Sequence, residues 1–435
     1  MKHFLALSLI SLSFSMLVGQ TKSAKEIKGD AYFFSYNYEK ALTCYGATNL
    51  SENGMRSYAA AQVKTNRTLD AERQYVLLID KFNKIHSDDY YNYANVLRMN
   101  GKHQLFNEWM DKFAVNNPAD LRVKSYQSNK KKEVLTNNCY FNLLPLTVNT
   151  IKQEFATVYL NEKLVFVTNK SDYKLVKRTD NRSGQAYLTL VEYAATSKTS
   201  DANLAKQLKK NKYNVGPASF NKEGTFMAVT SNMLKDKSAD QLIELQIHFS
   251  TLTANGWSKP VAFAFNNTSY SVGQPALSDD GKTMYFTSDM PGGFGGADLY
   301  VTTQTVDNSW SAPKNLGDKI NTEGNELFPF YQESTAILYF SSDGHYGQGG
   351  LDVFRYKNDA VTNMGKPVNS VHDDFAFILN RNNDAGYLSS NRNEANLSDD
   401  LYKFSFQDSL KITKRIEGLA TTNNSEKLSN VLVSL

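Results

Sequence analysis

A chain of 435 residues exceeds one compact core, so two or three domains are expected. Its 41% hydrophobic and 21% charged residues exclude a disordered polymer. The net charge of +4, with no basic run denser than the three lysines of "NKKKE" at 129–133, excludes nucleic acid as a partner.

Lys2 and an apolar run from Phe4 to Val18 begin the chain. That run is shorter than the roughly 20 residues that span a bilayer, and it fits the core of a secretory signal peptide over 1–20. No Cys follows it directly; the first is Cys44. An exported, soluble protein without a lipid anchor at its own N-terminus is therefore expected. Cys44 reads as a helix-packing residue and Cys139 as part of an apolar strand, so a native bridge between them is not expected.

Over 21–126 the apolar period is helical. "GDAYFFSYNYEKALTCY", "AAAQVKTNRTLDAERQY" and "ANVLRMNGKHQLFNEWM" share one spacing. Gly29, Tyr32, Ala41 and Tyr45 of the first match Ala59, Gln62, Ala71 and Tyr75 of the second, then Ala94, Leu97, Phe106 and Met110 of the third. Small residues let paired helices approach, and an aromatic fills the groove beside them. This pattern resembles the tetratricopeptide repeat, whose period is about 34 residues; Gln62 and Phe106 depart from it. Stacked helix pairs offer a concave surface for a peptide or protein. On that face Tyr32, Tyr36 and Tyr91 are the candidate contacts.

After a linker at 127–136, residues 137–410 alternate apolar and polar positions between Asn, Asp, Gly and Ser clusters, as many short strands do. Five apolar runs end at Asn169, Ser231, Ser288, Ser342 and Ser390, roughly 50 residues apart. Each follows a tight turn such as "LSDDG" and precedes an outer strand. Three or four short strands per repeat describe propeller blades, which bury their faces only against neighbours. The predicted fold is α followed by all-β, with a propeller of five blades; the long first interval and the segment 137–153 leave room for a sixth. Tyr285 and Phe286 should face opposite neighbouring blades. The glycine loops, with Gly292, Gly293, Gly295 and Gly296 and then Gly347, Gly349 and Gly350, are the second candidate docking surface. Asp298 and Asp352 should accept backbone hydrogen bonds that lock these loops to the strands behind them, or else contribute to a calcium site.

No catalytic set is recognisable. The six histidines include no pair at metal-ligand spacing, no G-x-S-x-G elbow occurs, and the adjacent acids Asp279 and Asp280 or Asp373 and Asp374 read as turn residues. The expectation is a protein without enzymatic activity, cofactor or metal. Residues 411–435 read as the first strands of a new β-sandwich, like the start of a carboxypeptidase-regulatory-like domain, and the native protein is expected to continue.

The order of signal peptide, helical repeats, "PALSDDGKTMYFTSDMPGGFGGADLY" and "LYFSSDGHYGQGGLDVF" resembles the OmpA-family envelope proteins of Bacteroidota, PorE-like members among them. That resemblance implies a periplasmic scaffold associated with the outer membrane, with other envelope or outer-membrane proteins as partners, linked to type IX secretion or gliding motility. It implies peptidoglycan binding only through a C-terminal domain outside this sequence. A propeller that holds a glycan or peptide in its central channel is the competing expectation.

Overall fold

The computed structural model describes residues 22–82, 85–130, 141–161, 163–170, 180, 185–193, 200–201, 213–232, 243–393 and 398–406. The signal peptide, most of the linker, Cys139 and the sandwich strands at 411–435 lie outside the described residues; Cys44 is a free thiol.

Helices α1 (Ala24–Phe34), α2 (Tyr38–Tyr45), α3 (Glu52–Lys64), α4 (Thr68–Lys81), α5 (Ser87–Met99), α6 (His103–Asn116) and α7 (Leu121–Asn129) form the N-terminal half. α7 runs past the expected boundary at 126. Starts are set by side-chain oxygens: Ser23, Ser51 and Asp120 each accept a first-turn N–H. The repeated small residues do what their spacing asked. Ala41, Ala59, Ala71 and Ala94 are fully buried between helices, with Tyr45, Tyr75, Phe106 and Met110 filling the grooves. At Gly29 an added Cβ would lie 2.6 Å from the Tyr45 ring, so that pair closes only on glycine. None of these helices is long and apolar enough to cross a membrane.

The C-terminal half is a propeller of five antiparallel sheets among the described residues. Blade 1 comprises Glu154–Leu160, Lys163–Thr168, Thr189–Tyr193 and Ser200–Asp201. Blade 2 comprises Val215–Phe220, Phe226–Ser231, Gln246–Thr253 and Val261–Ala262, and blade 3 Val272–Leu277, Thr283–Ser288, Asp298–Thr303 and Lys314–Asn315. Blade 4 comprises Glu326–Gln332, Ile337–Ser342, Asp352–Lys357 and Ala360–Asn363. Blade 5 has three strands from its own repeat, Asp374–Leu379, Ala385–Ser390 and Asp400–Phe406, and takes its fourth from Phe141–Pro145. The early segment that left room for a sixth blade therefore closes the ring.

The second strands end where the repeat anchors lie. Tyr285 stacks toward Tyr331 of blade 4 at 5.1 Å, while Phe286 meets Phe263 from the blade 2 side at 5.6 Å. The paired hydroxyls have a physical purpose. Each first strand is interrupted by a bulge, and in four blades one residue there is left-handed: Ala156, Gln274, Phe328 and Ala376, with φ between 51° and 53°. The twist turns its N–H to the neighbouring blade: Ala156 N–H donates to Ser389 Oγ at 2.9 Å and Gln274 N–H to Thr230 Oγ1 at 2.8 Å. In blade 2 Pro217 stands within the bulge, and its ring forbids positive φ.

A second repeat is built from asparagine. Asn149, Asn266, Asn321 and Asn369 each place both amide atoms on one residue of a third strand, accepting its N–H and donating to its C=O. Each amide extends the sheet by one backbone-like partner. Replacing the buried Asn369 by Ala strands the N–H of Val353, whose C=O keeps the Met364 N–H, and a loss of about 1–3 kcal/mol is expected, read as a lower urea midpoint.

Candidate functional site: the cleft between helices and propeller

The helices stand on the propeller face through α5, α6 and α7. Tyr91 Oη donates to the Asp343 carbonyl at 2.8 Å, and the Leu121 N–H donates to the Glu323 carboxylate at 2.9 Å. The Tyr346 N–H donates to Ser125 Oγ at 2.9 Å, and the Tyr346 ring packs 5.9 Å from both Phe106 and Tyr126. Beside these contacts the halves diverge around a cleft of about 1030 Å³. Its helical wall carries Lys64, Arg67, Arg98 and Arg122, and its propeller floor carries Glu323, Asp343, Asp373 and Asp399. Apart from Glu39 on the helical side and Lys152 on the propeller side, one wall is basic and the other acidic.

The floor is assembled by the blade repeat. The residue after each second strand accepts an N–H from the residue just before the first: Asn169 from Gln153, Asn232 from Asn214, Asp289 from Ser271, Asp343 from Asn325, and Asn391 from Asp373, at 2.6–3.0 Å. Asp373 in turn accepts the Leu351 N–H of blade 4 at 2.8 Å, which ties the glycine loop to the next blade. Burial raises the carboxyls of Asp373 and Glu323, Lys64 partly opposing it at Asp373. Burial, then Asp373 and Asp400, lifts Asp399 to about 7. Asp373 and Asp374 are thus more than turn residues: Asp374 is fully buried, ion-paired to Arg392 and hydrogen-bonded by Ser370.

The central channel is nearly closed. Where the bulges of the first strands of all five blades meet, with Pro217, Pro275 and Pro329 among them, about 50 Å³ is left.

Of the expected contact residues, Tyr36, Tyr91, Gly349 and Gly350 line the cleft. Tyr36 is 51% exposed, but Tyr91 is only 7% exposed, because the chain's own propeller covers that part of the helical face. Tyr32 packs into the helical core beneath the amines of Lys28 and Lys40. Gly292, Gly293, Gly295 and Gly296 are exposed on the blade 3 loop outside the cleft. Gly347 is buried against Asp352, and at Gly349 a Cβ would strike the Val371 backbone. In the second glycine loop Gly347 and Gly349 are packed, and Gly350 is half-buried at the cleft. Asp298 accepts from the Phe294 N–H at 2.7 Å and Asp352 from the Gln348 N–H at 2.5 Å, as loop-to-strand locks. Among the described residues no cluster of His, Cys, Asp and Glu could hold a metal ion.

No protein-family model and no curated protein matches the chain. Among solved structures it is similar to TolB from Acinetobacter baumannii, at 16% identity and TM-score 0.32 over 46% of this chain and 43% of that one. A thermostable family-43 glycoside hydrolase is similar at 10% identity and TM-score 0.38 over 61% and 93%. Trypanosoma rangeli sialidase is similar at 11% identity and TM-score 0.34 over 63% and 58%. The chain spans less than half the length of that TolB, and at these identities the likeness is one of fold alone. It does correct one expectation: with glycosidases among chains of similar fold, catalysis is not excluded, and the expectation of no enzymatic activity is withdrawn.

Proposed function

We propose that this protein is an interaction scaffold of the bacterial cell envelope, exported to the periplasm, whose cleft between helices and propeller docks a partner polypeptide. The carrying observation is the contrast of volumes: about 1030 Å³ where the two halves meet and about 50 Å³ in the channel. Association with the outer membrane, with a type IX secretion or gliding apparatus and with the cell wall rests on the resemblance to OmpA-family proteins. Residue 36 is exposed in the cleft, and Val306 is fully exposed on a blade 3 loop outside it. With a photo-crosslinking amino acid at either position of the full chain in the envelope, adducts to outer-membrane or periplasmic proteins are expected from position 36 and not from 306. Identical adducts from both, or none from either, would remove the docking reading.

A further inference from the structure

Apart from the exposed Lys64 and Lys152, two opposite charges in the cleft are left without an ion pair by the chain itself. On the helical wall Arg98 is 3% exposed, with its guanidinium 5.4 Å from the Phe106 ring centroid and no acceptor for its Nε–H. It forms no ion pair among the described residues. Asp352 feels its charge, yet the Asp352 carboxylate is turned to the N–H groups of Gln348 and Gly349 through one oxygen, and the other has no partner. The other guanidiniums of that wall are engaged: Arg67 with Glu39, Arg122 with Asp120.

On the propeller floor the acids are occupied in the same way, with one exception. Glu323 accepts from Leu121, Asp343 from Asn325, and Asp373 from Leu351 and Asn391. The side chain of Asp399 accepts no hydrogen bond among the described residues; only its backbone carbonyl is used, by the Glu154 N–H. Asn95, one turn before Arg98 on α5, lines the same cleft with an amide that can both donate and accept.

A guanidinium held out of water near a carboxylate with which it makes no ion pair is costly, and its planar fork of N–H donors fits a second carboxylate. The Asp399 carboxyl on the facing floor, without a hydrogen-bond donor of its own among the described residues, is stabilised in its ionised form by an ammonium or guanidinium. We propose that the cleft takes a zwitterionic polypeptide segment, with a carboxylate seated on Arg98 and a cationic group against Asp399, and with Asn95 toward the peptide backbone between them. The site is composite, one charge from each half, and it rests on the docking reading above.

The test is fluorescence anisotropy on the full chain with three fluorescein-labelled octapeptides: alternating Lys-Glu, all-Lys and all-Glu. The alternating peptide should bind most tightly, and Arg98→Gln and Asp399→Asn should each weaken it at least tenfold. Ligand-free Arg98→Gln should melt at or above the parent temperature, because it removes an uncompensated charge. Unchanged affinity in Arg98→Gln, equal binding of a single-sign peptide, or a lower ligand-free Tm showing Arg98 to be structural would each overturn the proposal. Crosslinks from position 36 that persist in Arg98→Gln would sink the two-charge site and leave docking intact. Arg98-dependent peptide binding with no crosslinked partner would do the reverse.

Discussion

Removal of residues 141–145 is expected to lower the melting temperature by on the order of 10 °C and to broaden the transition. Those residues are the outer strand of blade 5, in register with Asp400–Phe406 so that Leu143 faces Phe404 and Pro145 faces Tyr402. Leu143 packs on the cluster of Phe377, Leu388, Tyr402 and Phe404. Burial of such a side chain contributes roughly 1.5–3 kcal/mol, and each ladder hydrogen bond about 1 kcal/mol. A total of about 5 kcal/mol, at about 2–4 °C per kcal/mol for a domain of this size, gives the shift stated. The control is the outer strand of blade 3, Lys314–Asn315, which is two residues long and joins no distant parts of the chain. Breaking it with Lys314→Pro should shift the melting temperature by under about 3 °C. Equal shifts in the two variants would mean that ring closure carries no special weight.

The same contrast explains what was legible in the sequence. Blades were readable because their evidence is local: a turn, an apolar run and a Ser/Thr pair recur at a fixed spacing, and "KTMYFTS" becomes the strand Thr283–Ser288. The closing strand was not readable, since nothing within 141–145 names Asp400–Phe406 as its partner. The asparagine clasps did leave a signal, an apolar residue before Asn and a polar one after it, in "VNT", "FNN", "INT" and "VNS". It is short enough to pass for loop composition until the third strands are seen beside it. Tyr91 read as an exposed aromatic because a helical period shows which face is apolar but not what covers it. Arg98 gave no signal at all: a charge on an amphipathic helix is ordinary until the propeller buries it.

The pH dependence of stability follows from the same burial. Glu326 begins the first strand of blade 4 with no exposed surface, and burial lifts its carboxyl to about 8 despite hydrogen bonds from Thr322 and Ser342. Asp352 is lifted to about 7 by burial, Arg98 opposing. A carboxyl whose folded value lies above its unfolded one binds more protons in the native state, so its stabilisation is complete below the unfolded value, about 4.3 for Glu, and is lost as pH rises through the folded value. For Glu326 that amounts to something on the order of 5 kcal/mol across pH 5–9. His345 works the other way over a lower window. Burial holds it down to about 4, so between pH 4 and about 6.5 the unfolded chain takes up the proton and stability rises with pH. Above pH 6.5 that opposition ends, and the fall of the urea-derived unfolding free energy with pH should steepen. Glu326→Gln cannot ionise, so its curve should be flatter and cross the parent's: less stable than the parent at pH 5, where it has lost a hydrogen-bond geometry suited to a carboxyl, and more stable at pH 9. Parallel curves for the two proteins would show that Glu326 ionises in the folded state at its ordinary value and that its three hydrogen bonds outweigh its burial.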